Sequence, residues 1–292
     1  MQFTRTTNEQ FPLATLNYLL VFNILLALPP MSQFTNKIIW ITGATSGIGE
    51  ALAYALSEQG AKLVLSARRV EELERVKSNC KGEALTLQLD LSKMEEFESL
   101  TQKVISHYGR IDCLINNGGI SQRSKAFETP LDIDRKIMEV NYFGNIALTK
   151  AVLPQMQQQK MGTIVVISSL SGKFGFFLRS AYAASKFALV GFYESLRLEE
   201  EKNNLKVSIV FPGFIKTDIS KNALSKDGKS TGEMDNNQNQ GVTAEKCAQQ
   251  IIKGLEKSKL EIKAGAGELK AITLKRLFPK LFHKIIRKQN AQ

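Results

Sequence analysis

Histidine is almost missing: the 292-residue chain holds only His107 and His283, far apart in sequence. That argues against a histidine-rich metal site or a Ser-His-Asp triad, so acid–base chemistry must use other side chains. Cysteine is nearly as scarce. Cys80, Cys113 and Cys247 are scattered without metal-ligand or redox spacing, and their odd number suits a reducing compartment such as the cytoplasm. Long apolar runs are lacking too, with one exception. Residues 11–28 (FPLATLNYLLVFNILLAL) include Pro12, Asn17 and Asn23, and fall short of the about 20 apolar residues that a membrane span needs. Only Arg5 precedes the run, and Leu28, Pro29 and Pro30 follow it, unlike a signal peptide. Two readings of residues 1–30 stay open: a short membrane anchor, or translated sequence upstream of a true start at Met31.

Acid is missing from residue 269 onward, where Lys270, Lys275, Arg276, Lys280, Lys284, Arg287 and Lys288 carry much of the formal +11 charge. The basic balance is thus mostly a property of the tail, and it gives no reason to expect a nucleic-acid partner. Ile272, Leu274, Leu277, Phe278, Leu281, Phe282, Ile285 and Ile286 fall near a 3.6-residue period among those cations. The pattern predicts one amphipathic basic helix over 269–288, within a tail at 268–292. It can pack on the domain or a sister subunit, or attach to an anionic membrane surface.

What is present between 31 and 267 is a steady alternation of apolar strands and longer helices. Strands are predicted at 37–42, 61–67, 83–90, 111–117, 162–169, 206–213 and 260–265. Helices are predicted at 47–59, 70–79, 93–108, 132–157, 181–202 and 243–256. Near-continuous apolar strands require burial on both faces, so the fold class is α/β: three layers of Rossmann type, a seven-stranded parallel sheet with helices on both faces. Ligands of such sheets bind beyond the carboxyl ends of the strands.

The residues that follow each strand carry the signal. Gly43, Thr45, Ser46, Gly47, Ile48 and Gly49 form a glycine-rich turn that opens a helix, suited to a dinucleotide pyrophosphate at free N–H groups. The second strand ends in Arg68 and Arg69, with no acid to accept from an adenosine ribose hydroxyl. Cations there favour a 2′-phosphate, hence NADP(H) over NAD(H), unless both arginines are simply solvated. Asp90 suits the adenine amino group or a helix cap. Asn117 and Gly118 lie in an amide-and-glycine turn that lets backbone lie against the cofactor.

Ser169 closes the fifth strand, and Tyr182 and Lys186 share one face of the following helix. A neighbouring ammonium is expected to lower the phenol from its usual pKa of about 10 towards working pH. Ser169 is placed to donate to a substrate oxygen.

Taken together, TGATSGIG at 42–49, LDLS at 89–92, NNGG at 116–119, Asn141, ISS at 167–169, YAASK at 182–186 and PG at 212–213 resemble the short-chain dehydrogenase/reductase family over roughly 37–265. Gly118 departs from the family's usual alanine, by one methyl. The resemblance implies that Ser169, Tyr182 and Lys186 are catalytic. It also implies that Asn141 holds a relay water, although a helix-interior amide serving local backbone is the simpler alternative. It places Pro212, Gly213 and Thr217 near the nicotinamide, and implies a homo-oligomer that converts a small-molecule carbonyl or alcohol. The overall look is similar to a branch with membrane-associated members.

Residues 170–179 and those after Phe214 should frame the substrate cleft. Phe174, Phe176, Phe177 and Leu178 suggest an apolar substrate, though core packing explains them equally. The polar stretch 220–240 is expected to be a mobile lid. Rival readings are a sensor that binds NADP(H) without turnover, and an epimerase or dehydratase using the same Tyr–Lys pair. The intact catalytic set disfavours the first, and the lack of a long substrate domain the second.

Overall fold

The computed structural model describes residues 32–288, so the anchor-or-start question at residues 1–30 lies outside the described residues. The expected alternation is realised. Strand β1 (Ile38–Thr42) leads into α1 (Gly47–Glu58), and β2 (Lys62–Ala67) into α2 (Val70–Asn79). Then come β3 (Ala84–Gln88), α3 (Phe97–Tyr108) and β4 (Cys113–Asn116). Helices α4 (Leu131–Met138) and α5 (Gly144–Gln159) precede β5 (Gly162–Ile167), and α6 (Ser180–Glu199) precedes β6 (Leu205–Pro212). The short strands β7 (Ile215–Lys216) and β8 (Val242–Thr243) pair with each other and bracket the four-residue helix α7 (Asn236–Asn239). Helix α8 (Ala244–Glu256) leads to β9 (Glu261–Ala264), and α9 (Lys270–Leu277) and α10 (Pro279–Ile286) end the described chain.

The main sheet has the order β3-β2-β1-β4-β5-β6-β9, with every pairing parallel. Strand side chains alternate between two apolar layers, as the pleat demands. Ile39 and Ile41 of β1 join Leu52, Leu56 and Ile251 on the α1/α8 face, whereas Ile38 and Trp40 join Val104, Val152 and Tyr193 on the α3/α5/α6 face. The strand order, not the strand direction, reverses at the β1–β4 boundary, where strands up to β3 are added on one side and those from β4 on the other. There the connections diverge to opposite sides and leave a crevice at the strand ends.

Two departures from the expected elements have clear causes. The single helix predicted over 132–157 is interrupted by a π turn at Glu139–Phe143, centred on the fully buried Asn141. One extra residue in that turn reorients Asn141, and Gly144 follows where a Cβ would overlap the Leu91 carbonyl. The single tail helix predicted over 269–288 is two helices. Pro279 has no N–H to continue α9 and disfavours helical backbone at Phe278, whose φ/ψ are −134/65. Pro279 instead begins α10 at its first turn.

The tail packs on the domain. Phe282 is buried, stacks edge-to-face on Phe174 at 4.9 Å, and forms with Leu170 a small cluster joined by Ile272, Leu274 and Ile286. Lys275 Nζ donates to the Lys173 carbonyl at 2.6 Å. Because this cluster is separate from the two main layers, Phe282→Ala should undock the tail locally. The expected result is increased amide hydrogen exchange across 270–286 with unchanged protection in the sheet, measured by mass spectrometry.

Candidate active site

The floor of the crevice is a clamp between the ends of β1 and β4. Thr42 Oγ1 accepts from the backbone N–H groups of Asn117 (3.0 Å) and Gly118 (2.9 Å), while Asn117 Nδ2 donates to the carbonyls of Thr42 and Gly43 at 3.0 and 3.2 Å. The glycine turn is thereby tied to the NNGG turn. Gly43 and Gly47 sit at φ +64 and +57, a region that penalises other residues. A Cβ on Gly43 would lie 2.9 Å from Gly118 Cα, and one on Gly47 2.9 Å from Thr217 Cγ2. Gly49 lets α1 close on the turn, because a Cβ there would meet the Gly43 carbonyl.

A groove of about 800 Å³ runs over this floor, lined by Gly43, Thr45, Ser46, Gly47, Ile48, Arg68, Arg69, Asp90, Asn117, Gly118 and Thr217. Ser46 stands at the α1 N-cap with extended backbone, and its side chain makes no cap bond. Exposed Arg68 and Arg69 occupy one end of the groove. Asp90 accepts from Ser92 N (3.0 Å) and Ser92 Oγ (2.8 Å). Burial works to raise its carboxyl, but the Ser92 bonds and the charge of Arg68 hold it below its ordinary value. Asp90 therefore closes a local turn and also faces the groove. A helix N-terminus with an uncapped serine, glycines facing the groove and cations at its end fit a dinucleotide.

A second, largely apolar cavity of about 200 Å³ adjoins the groove, and Ile48, Asn117, Gly119, Ser121 and Thr217 line both. Ser169, Tyr182 and Lys186 meet here, as do Pro212 and Gly213. Ser169 follows β5 and caps the turn at Leu170–Gly172, with its Oγ accepting from Ser171 N at 3.1 Å. The Ser169 side chain lies near enough to the Tyr182 phenol to favour its ionised form. Lys186 is buried, and its Nζ donates to the Ile167 carbonyl at 2.8 Å.

The expected lowering of the Tyr182 phenol by Lys186 is not found. Burial raises it above its ordinary value, and what offsets the burial comes from the nearby Ser169 hydroxyl and the charge of Arg179. The Lys186 ammonium lies 5.6 Å from the centre of the Tyr182 ring and donates one of its N–H groups to the Ile167 carbonyl. Burial brings Lys186 itself down to about 8. Carrying its charge therefore costs stability below about pH 8, and that cost is relieved as pH rises towards the unfolded value of about 10.4.

Asn141 does not present a free amide. Its Oδ1 accepts from Ile120 N (2.8 Å), its Nδ2 donates to the Ile120 carbonyl (2.9 Å) and to Ser185 Oγ (3.0 Å), and its own carbonyl accepts from Asn145 Nδ2 at 2.8 Å. It pins the turn after β4 to α6.

Two contributors were not legible as such. Arg179, in sequence only the last residue of the cleft segment, is buried on the cavity wall one turn before Tyr182. It donates to the Gln122 carbonyl and pairs with Asp235 Oδ2 at 3.4 Å. Glu268, a lone acid before a basic tail, accepts from Phe214 N (3.1 Å) and Ala266 N (3.0 Å), with the Cβ-free Gly213 making room for its carboxylate. Within the stretch 220–240, Leu224 exchanges backbone bonds with Ser121 and Arg123 at 2.8 Å, and Asp235 is buried.

Comparison with known proteins points to one family. A family model described as short chain dehydrogenase matches residues 37–228. The chain is 43% identical over 266 residues to a dehydrogenase/reductase SDR family protein 7-like of Anopheles gambiae, covering 88% of this chain and 84% of that one. It is 38% identical over 274 residues to dehydrogenase/reductase SDR family member 7B of Mus musculus, covering 91% and 85%. Among solved structures it is similar to levodione reductase, with a TM-score of 0.73 and 25% identity over 81% of this chain and 98% of that one. A short chain dehydrogenase/reductase of Burkholderia phymatum in complex with NAD shares the fold, with a TM-score of 0.74 and 21% identity over 90% and 98%.

Gly49→Ala and Gly118→Ala separate the roles of the two glycines. The first drives a methyl into backbone and should cost about 1–3 kcal/mol in urea unfolding and weaken dinucleotide binding. The second meets chiefly the flexible Leu91 Cδ1, at 2.7 Å, and should change both by much less. Equal effects would contradict the clamp.

Proposed function

Because the chain belongs to the short-chain dehydrogenase/reductase family, and so is an oxidoreductase acting on CH–OH donors with NAD(P), we propose that it interconverts an apolar carbonyl compound and its alcohol with a preference for NADP(H). The observation that carries this reading is the meeting of Ser169, Tyr182 and Lys186 where an apolar cavity opens into the dinucleotide groove. A nicotinamide dinucleotide, when bound, supplies or takes the hydride.

The side chains manage the proton and the charge. Tyr182 gives its phenolic proton to the substrate oxygen in reduction and takes it back in oxidation. Ser169, beside that phenol in the same cavity, donates to the same oxygen and stabilises the charge that develops there. Lys186 supplies a buried cation near Tyr182 and would hold the ribose hydroxyls of a bound nicotinamide dinucleotide, and Arg179 adds a second cation on the cavity side. Asn141 acts as a positioning residue, since its amide fixes the Ile120 backbone against Ser185 of α6. Thr217 faces the junction of groove and cavity, suited to a carboxamide.

Phe174, Phe176, Phe214, Leu274 and Phe282 line the cavity and support an apolar substrate. Exposed Arg68, at the adenosine end with no competing acid from β2, supports a 2′-phosphate. Contact with a membrane surface belongs to the same proposal, since an apolar substrate partitions into lipid, and a homo-oligomer is carried over from the family resemblance alone. Among the described residues no helix is long and apolar enough to cross a membrane.

A screen of apolar ketones, aldehydes and alcohols against NADPH and NADP tests the reaction. Tyr182→Phe should fold, bind cofactor and lose about 10²–10⁴-fold in turnover; a fully active Tyr182→Phe enzyme contradicts the mechanism. Arg68→Ala should raise the Kd for NADPH at least about tenfold and leave NADH nearly unchanged, the value of one charge-assisted phosphate contact. Tighter binding of NADH than NADPH by the unaltered protein would refute the cofactor preference.

A further inference from the structure

The tail helices present two apolar faces, and only one is used by the fold. Phe282 is buried against Phe174, with Leu274 and Ile286 beside it. On the other side Leu277 (60% exposed), Phe278 (59%), Leu281 (48%) and Ile285 (43%) stand in solvent within nine residues of sequence. Around them Lys270, Arg276, Lys280, Lys284, Arg287 and Lys288 are exposed, and no acid occurs from 269 to 288. Exposed aromatic and aliphatic side chains ringed by cations match the interfacial region of a bilayer, where apolar insertion and attraction to anionic headgroups add. A second copy fits poorly, because a two-fold contact on this face sets the same cations against each other.

One residue joins this face to the chemistry. Ile285 is exposed among the outer side chains and also lines the cavity that holds Ser169 and Tyr182, with Ala271, Leu274, Phe282 and Ile286 of the same two helices. We propose that the outer face of α9 and α10 docks on an anionic lipid surface, and that a substrate dissolved in that lipid enters the cavity beside Ile285. The entry route rests on the apolar-substrate reading above; the docking stands on exposure and charge alone.

The test places a reporter on the face itself, so that residues 1–30 cannot supply the signal. Leu281→Trp adds an exposed indole to a chain whose only tryptophan, Trp40, is fully buried and bonded to Ser66. The full-length variant is mixed with vesicles of phosphatidylcholine carrying brominated acyl chains, with and without phosphatidylserine. The expected result is a blue shift and bromine quenching on the phosphatidylserine vesicles only. Adding Lys280→Glu, Lys284→Glu and Arg287→Glu should weaken partitioning at least tenfold and leave turnover of a water-soluble carbonyl unchanged. Turnover of a vesicle-dissolved carbonyl should fall with it. Three results would overturn docking: no quenching on phosphatidylserine vesicles, quenching indifferent to the charge reversals, or a blue shift that follows protein concentration without vesicles, which assigns the face to a second copy. Charge-dependent quenching with turnover of water-soluble substrates alone would overturn the entry route and the apolar-substrate reading while upholding the docking.

Discussion

The buried ammonium of Lys186 is the constraint around which the site is built. Taking such a charge out of water costs on the order of several kcal/mol, and the protein returns one strong bond, to the Ile167 carbonyl at 2.8 Å. The geometry nearby serves that burial. A Cβ at Gly119 would crowd Asn141 Oδ1 at 3.0 Å and Lys186 Nζ at 3.6 Å, and one at Gly172 would press on the Lys186 backbone and the Ser168 hydroxyl. Ser168 Oγ in turn holds the Lys186 carbonyl at 3.0 Å. The π turn at Asn141 and the hydroxyl of Ser185 then lock α6 against the turn after β4. Tyr182 is positioned because Lys186, one turn along the same helix, has nowhere else to go.

Much of this was readable in advance for a physical reason. Parallel strands buried on both faces write themselves as apolar runs, and each run ends where the crevice must be. The glycine turn, NNGG, the serine after β5 and the Tyr–Lys spacing could therefore be assigned to one crevice from order alone. What order could not show was energetics and tertiary partners. Spacing put a cation near Tyr182 but could not say that the cation would bond a carbonyl, or that burial would outweigh it. Arg179 and Asp235 lie 56 residues apart, so no local pattern announces their pairing. The family resemblance gave Asn141 a relay water, but no local pattern announced the π turn around it, with Gly144 packed on Leu91 and the amide bonded to Ile120 and Ser185.

The tail shows how a correct periodicity can still mislead. Apolar residues at helical spacing among cations pointed to one amphipathic helix, but Pro279 divides it, and the two halves turn part of their apolar surface inward as a wall of the cavity beside Ser169 and Tyr182. Glu268 anchors that wall to the turn at Gly213 and Phe214, next to the expected nicotinamide position. A segment beyond the residues matched by the family model thus shapes the cavity that holds Ser169, Tyr182 and Lys186.

The claim that Lys186 sustains proton transfer through a buried charge is tested most directly by the pH dependence of kcat/KM for carbonyl reduction. Burial brings the Lys186 ammonium to about 8, so the rate should fall above about pH 8 with the loss of a single proton as the cation beneath Tyr182 is neutralised. A profile that stays flat from about pH 7 to about pH 10, across the whole span between the buried and ordinary lysine values, would contradict it.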